Sequence, residues 1–171
     1  MPDTKPPKPQ TFMFADDGSV PNNAHLPFAL YRRAIDLIGS PDPEQVIENV
    51  FRRNGWRNGV FPYVHHHSMI HEGMGIARGR ANVRFGGNKG QEVALTHGDV
   101  CVLPAGTGHQ CLSATPGLIV GGTYPKDGKY DLCRGSKGEH ATALETIPRV
   151  PLPDSDPVLG KQGPLVRHWH N

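Results

Sequence analysis

The period of the apolar positions changes along this chain, and the change locates its elements. Before residue 60 one stretch has helical spacing, with Val46, Ile47, Val50 and Phe51 on one face. Asp42 stands where an N-cap is needed, Pro43 suits the first turn, Gln45 sits three residues after the cap, and Gly55 stops the run. This predicts a helix lying on the outside of the core, preceded over 28–38 by an extended segment that reads as an outer strand. From residue 60 the pattern becomes short runs divided by glycine-containing turns. The runs over 60–67, 72–77, 81–85, 92–96, 100–103, 109–114 and 118–123 read as strands, and such regular spacing argues for a sandwich or jelly roll.

The two ends differ from this middle. Residues 1–10 carry prolines and lysines that bury little surface, which predicts a loose or disordered arm. The stretch over 145–171 holds Pro148, Pro151, Pro153, Pro157 and Pro164 and reads as an extended strap. Its apolar residues Ile147, Val150, Leu152, Val158, Leu165 and Trp169 favour docking, with a partner subunit as one surface to receive it. A length of 171 residues suits a single domain with one buried core, and no internal repeat is visible.

Composition narrows the function. Lys and Arg total 18 against 16 for Asp and Glu, a formal net charge of +2, and no basic block or aromatic-interleaved basic patch is present. Nucleic-acid binding therefore has no electrostatic footprint, and a small-molecule substrate is expected. No apolar run reaches the roughly eighteen residues of a membrane span, and the first residues lack the apolar core of a secretory signal. Three cysteines without a pairing pattern suit a reducing compartment, so a cytoplasmic protein without membrane contact is expected.

The chemistry concentrates in two blocks. The first runs Gly59, five residues, His65, one residue, His67, four residues, Glu72, six residues, Gly79. Alternation along a strand puts His65 and His67 on the same face, and Ser68, Met69 and Ile70 turn the chain so that Glu72 opens the next strand. The second runs Gly98, five residues, Pro104, Ala105, Gly106, two residues, His109. A hairpin through Pro104, Gly106 and Gly108 would return His109 beside the other three. Three imidazoles with one carboxylate suit one divalent transition metal, iron, manganese, nickel, zinc or copper, and in an octahedral field leave two positions open.

These two blocks resemble motifs 1 and 2 of the cupin superfamily, with one departure: Ser113 stands where the second motif usually ends in asparagine. Further segments resemble the uncharacterised bacterial YjlB-like cupins, namely DDGSVPNN over 16–23, RNGWRNGVFPY over 53–63, HSMIHEGMGIARG over 67–79, LPAGTGH over 103–109 and PLPDSDPVLGKQGPL over 151–165. The resemblance implies an all-β fold, a single cupin jelly-roll barrel over 1–171 with its core and both motifs over 59–123. It also implies a metal at His65, His67, Glu72 and His109. Cupins include dioxygenases, isomerases, epimerases, decarboxylases and non-catalytic proteins, so activity follows less closely than fold. The leading expectation is a metal-dependent, dioxygenase-like oxidoreductase of a small organic substrate. The alternatives are a metal-dependent isomerase or epimerase, and a metal- or ligand-binding protein without turnover. Cupins often pair through barrel edges, which makes a homodimer a reasonable expectation.

Parity then assigns the pocket. Phe61 and Tyr63 share the face of His65 and His67, Met74 and Ile76 share that of Glu72, and Cys111 that of His109; all five are expected to line the interior beside the metal or simply to fill it. Cys101 is placed opposite Cys111 across the hairpin, and both equally suit small buried hydrophobes. Glu72 is a ligand and a candidate base. His71 is expected at the turn as a support that orients a neighbouring ligand, as a proton shuttle or as a replacement ligand, and His66 is expected to face outward. His25, His97, His140, His168 and His170 read as surface residues.

Overall fold

The computed structural model describes residues 7–58 and 65–170. In chain order the strands and helices are β1 (Gln10–Phe12), β2 (Phe28–Tyr31), α1 (Pro43–Arg53), β3 (Trp56–Asn58), β4 (Glu72–Arg78), β5 (Arg80–Phe85), β6 (Gln91–Thr96), β7 (Val100–Leu103), β8 (His109–Ala114), β9 (Ile119–Pro125), α2 (Lys137–Thr146) and α3 (Pro164–Trp169). They form two antiparallel sheets, one in the order β1-β2-β7-β4-β9-β3 and one in the order β6-β5-β8.

Alternation on β2 and β7 builds two cores at once. Phe28, Leu30, Cys101 and Leu103 join Met74 and Ile76 in facing the smaller sheet, where Val83, Phe85, Val93 and Leu95 meet them. Ala29, Tyr31, Val100 and Val102 point the other way, onto Ile47 and Phe51 of α1, Trp56, Leu165 and Trp169. Both faces of these strands are covered, so their residues are uniformly buried rather than alternately wet. The helix α1 approaches closely because the outward residues beneath it are glycines. A Cβ on Gly75 would stand 2.9 Å from Ile47 Cγ2 and 3.0 Å from Phe51 Cζ, and one on Gly73 would stand 2.8 Å from Thr123 Cγ2.

The predicted α1 has its expected cap, with Asp42 Oδ1 accepting from the Gln45 N–H at 3.0 Å. Four expectations are corrected. The strand at 28–38 ends at Tyr31, because the buried Asp99 carboxylate accepts from the Arg33 N–H and the Arg32 guanidinium, both at 2.9 Å, and turns the chain there. Gln10, the last residue of the predicted arm, already belongs to β1, which pairs with β2 and sets the Phe12 ring tilted against Phe28. The strap over 145–171 is not only extended, since α3 buries Leu165 and Trp169 one turn apart on the protein's own core; before it, α2 starts on a reciprocal capping box of Ser136 and Glu139. Finally, β7 and β8 are not a paired hairpin. They lie in different sheets, so Cys101 and Cys111 are not cross-strand partners, and the connection over 104–108 crosses between the sheets.

That crossing is held from a distance. Asn22 Oδ1 accepts from the Gly108 N–H at 3.2 Å, and Asn23 Nδ2 donates to the Ala105 carbonyl at 3.0 Å. Gly106 has φ +94, and a Cβ there would lie 2.5 Å from the Asn22 carbonyl oxygen. The two asparagines of the 16–23 segment thus set the loop that delivers His109.

Candidate metal centre

His65 and His66 join the two halves of the site through their backbones. His65 exchanges hydrogen bonds with His109 at 3.2 and 3.0 Å, and His66 exchanges them with Cys133 at 3.0 and 2.9 Å. This directs the His65 ring toward His109, with centroids 4.1 Å apart, and sets His67 5.3 Å from His65. Glu72 opens β4 opposite Leu103 and faces the same space. Its Oε2 lies 3.5 Å from His67 Nε2 and 3.3 Å from His109 Nε2. His65, His67 and Glu72 offer ligand atoms within 4.8 Å of one another, a buried group that could hold a metal ion. His109 stands against it, itself only 6% exposed.

The His67 and His109 rings are oriented by what their Nδ1 atoms meet. The Nδ1–H of His67 donates to the Asp131 carbonyl, and His109 Nδ1 lies 3.4 Å from the Thr107 carbonyl. Carbonyl acceptors at Nδ1 leave the Nε2 lone pairs aimed at Glu72. Tyr124 donates its hydroxyl to Glu72 Oε1 at 3.3 Å, while the buried Oε2 has no hydrogen-bond donor. A buried carboxylate oxygen without a donor is costly. A cation between it and the imidazoles would satisfy it, and the donor set of nitrogen with one carboxylate fits a divalent transition metal.

Electrostatics favour the ligating state of Glu72 and His109, whereas His67, raised toward the imidazolium form, must lose a proton to bind a cation. Burial alone would raise the Glu72 carboxyl, but His109 and His67 outweigh it and hold it below the usual carboxylate range. Burial works against a charge on His67, yet the Glu72 carboxylate and the Asp131 carbonyl raise it above the ordinary imidazole value. His109 is pushed down to about 4 by burial. A neutral His109 beside an ionised Glu72 is the protonation state that ligation requires.

The neighbouring histidines are now placed. His71 accepts from the Ala105 N–H at Nδ1, 2.9 Å away, and packs on Trp169 with centroids 4.7 Å apart; burial lowers it to about 3. Its ring supports the start of the loop leading to His109. The expectation that His66 faces outward is corrected: it is fully buried, lowered to about 4 by burial, because the segment around Cys133 covers that side. His25, His97, His168 and His170 are exposed, while His140 is half-buried and bonded to Asp16 at 2.9 Å.

Of the expected pocket residues, Met74, Ile76 and Cys111 line a cavity of about 300 Å³ that reaches His109. Phe61 and Tyr63 lie outside the described residues, as does most of the strand predicted over 60–67. Two contributors have no spacing signal in the sequence. Tyr124 enters from β9. Asp131 binds the site twice: its carbonyl orients His67, and its carboxylate accepts from Ser68 Oγ at 2.7 Å and from the Ser68 and Met69 N–H groups, fixing the turn between His67 and Glu72.

No helix among the described residues is long and apolar enough to cross a membrane. No protein-family model matches the chain. It is 38% identical over 164 residues to the uncharacterized protein YjlB of Bacillus subtilis (strain 168), across 94% of this chain and 96% of that relative. With likeness of that extent from end to end, the chain belongs to the family of YjlB.

Proposed function

We propose that this protein is a single-domain cupin whose two sheets make a jelly-roll barrel, and that His65, His67, Glu72 and His109 together hold one divalent transition metal. The observation that supports this best is Glu72 Oε2, buried without a donor and faced by two Nε2 atoms whose rings are anchored at Nδ1. The activity that fits is a dioxygenase-like oxidation of a small organic substrate. When bound, such a metal supplies a Lewis-acid or redox centre with two positions open to substrate and dioxygen.

The protein's own residues have definable tasks. Tyr124 fixes the Glu72 carboxylate through Oε1 and leaves Oε2 for ligation. Asp131 and Thr107 keep the imidazoles aimed inward. Met74, Ile76 and Cys111 keep water from the inner face. Glu72 would serve as a ligand and, when not holding the metal, as a base. His71 acts as support for the His109 loop through Ala105. The expected setting is a cytoplasmic homodimer joined through the sheet edges at β1, β3, β6 or β8, which light scattering on purified protein tests directly.

The deciding experiment is metal analysis of protein purified without a histidine tag. About one equivalent in the wild type, lost in a His65→Ala, His109→Ala double variant, is the expected result. A metal-free wild type that takes up no iron, manganese, nickel, zinc or copper overturns the proposal. Nitric oxide added anaerobically to the iron(II)-loaded protein then reports on the open positions by electron paramagnetic resonance. A nitrosyl signal is expected, and its absence would exclude a dioxygen-binding role.

A further inference from the structure

The cavity that reaches His109 runs outward along β8. Exposure rises along that strand from the buried His109 through the half-buried Cys111 to the exposed Ala114, so the mouth lies at the Ala114 end, near the half-buried Leu118. Strict alternation would put Ser113 on the inner face with His109 and Cys111. Instead the pairing of β5 with β8 shifts between Asn82 and Val83. Cys111 stays opposite Val83, Ser113 falls opposite the outward Asn82, and Ala114 comes opposite the inward Ala81. The bulge replaces a hydroxyl at the mouth by a methyl group.

The rest of the lining has the same character. Met74, Ile76, Val83 and Val120 surround the passage, and among its described lining residues no side chain carries a fixed charge or a hydroxyl. A carboxylate, phosphate or sugar would lose its hydration there without a partner. Leu118 and Val120 remain partly exposed around this space, although closing it would have buried them. The volume, about 300 Å³, is at the small end of ligand sites.

We propose that the substrate is an uncharged molecule with an apolar body, which enters at Ala114, lies between Met74 and Val83, and presents a single polar head to Glu72 and His109. This rests on the metal-centre reading above, since the head is placed by the metal those residues hold. The apolar body is recognised by area alone, so specificity is set by length and girth, and distal charge is rejected.

Titration calorimetry on tag-free, metal-loaded protein tests the inference with hydroxamic acids as chelating probes. Acetohydroxamic acid is compared with its butano-, hexano- and octano- homologues and with a hexano- homologue ending in a carboxylate. Affinity is expected to rise up to about fourfold per methylene until the cavity is filled. The terminal carboxylate is expected to cancel that gain. Ala114→Trp, at an exposed position, is expected to flatten the length dependence while metal content stays unchanged. Equal affinity across the homologues, or tightest binding of the carboxylate-ended probe, would overturn the apolar-substrate inference with the metal site intact. Protein that takes up no metal overturns the underlying site reading instead.

Discussion

Glu72 and His71 are adjacent and both buried, yet hydrogen bonding separates their tasks. Glu72 turns a donor-free oxygen toward two imidazoles, whereas His71 has spent Nδ1 on the Ala105 N–H. Glu72→Gln is therefore expected to abolish metal uptake, measured by elemental analysis. His71→Leu is expected to retain uptake at lower affinity and to reduce stability by about 1–3 kcal/mol, the cost of a buried N–H left without an acceptor. Tyr124→Phe removes the donor that fixes Glu72 and is expected to weaken metal binding about 10–100-fold in a competition titration, with little change in circular dichroism. Period-two alternation paired His65 with His67, and Met74 and Ile76 with Glu72, because a face is a local property of extended chain, while Glu72 itself was read from the turn and spacing that precede it. It failed for His66, since alternation names the opposite face but not what lies against it, and here that is the distant Cys133. Tyr124 and Asp131 were invisible for the same reason: their roles come from register and from a carbonyl, which leave no pattern in the chain.

At the level of elements, legibility followed amphipathicity. The four apolar residues of α1 and its Asp42 cap declared it, and it packs as expected on the larger sheet. The sequence of α2 has only Ala143 buried and therefore no apolar stripe, although Ser136 and Glu139 carry the capping signal in plain view. Ser136→Ala is expected to cost about 1 kcal/mol of unfolding free energy in urea titration. The contact between α1 and the sheet is less forgiving. A methyl group at Gly75 meets Ile47 and Phe51 at about van der Waals overlap, and neither can retreat from a fully buried position. Gly75→Ala is expected to cost about 1–3 kcal/mol despite the better strand propensity of alanine, because overpacking outweighs it.

Across the whole molecule, the C-terminal segment ties the far side of the larger sheet to the candidate metal site. Asp156, fully buried, accepts from the Tyr31 hydroxyl and from the N–H groups of Val158, Leu159 and Leu165, which closes the turn before α3. Trp169 then donates to the Pro27 carbonyl at 3.0 Å and lays its ring on His71, whose Nδ1 holds Ala105 at the start of the loop carrying His109. The prolines suggested an extended strap but not the helix α3 within it, whose docking lay beyond reach because it depends on the outward face of β2. Two consequences of losing Trp169 can be separated. Deleting its buried ring is expected to cost about 3–5 kcal/mol of stability whatever the site does. If the chain of contacts through His71 also sets His109, the metal should stabilise the variant less than the wild type. Metal at a hundred times its dissociation constant stabilises the folded state by about 2.7 kcal/mol, and a tenfold weaker site halves that gain. Thermal melts of wild type and Trp169→Ala at one fixed metal concentration give both quantities. A lower melting temperature with a smaller metal-induced shift is expected, whereas an unchanged shift would make the strap a stabilising element with no part in building the site.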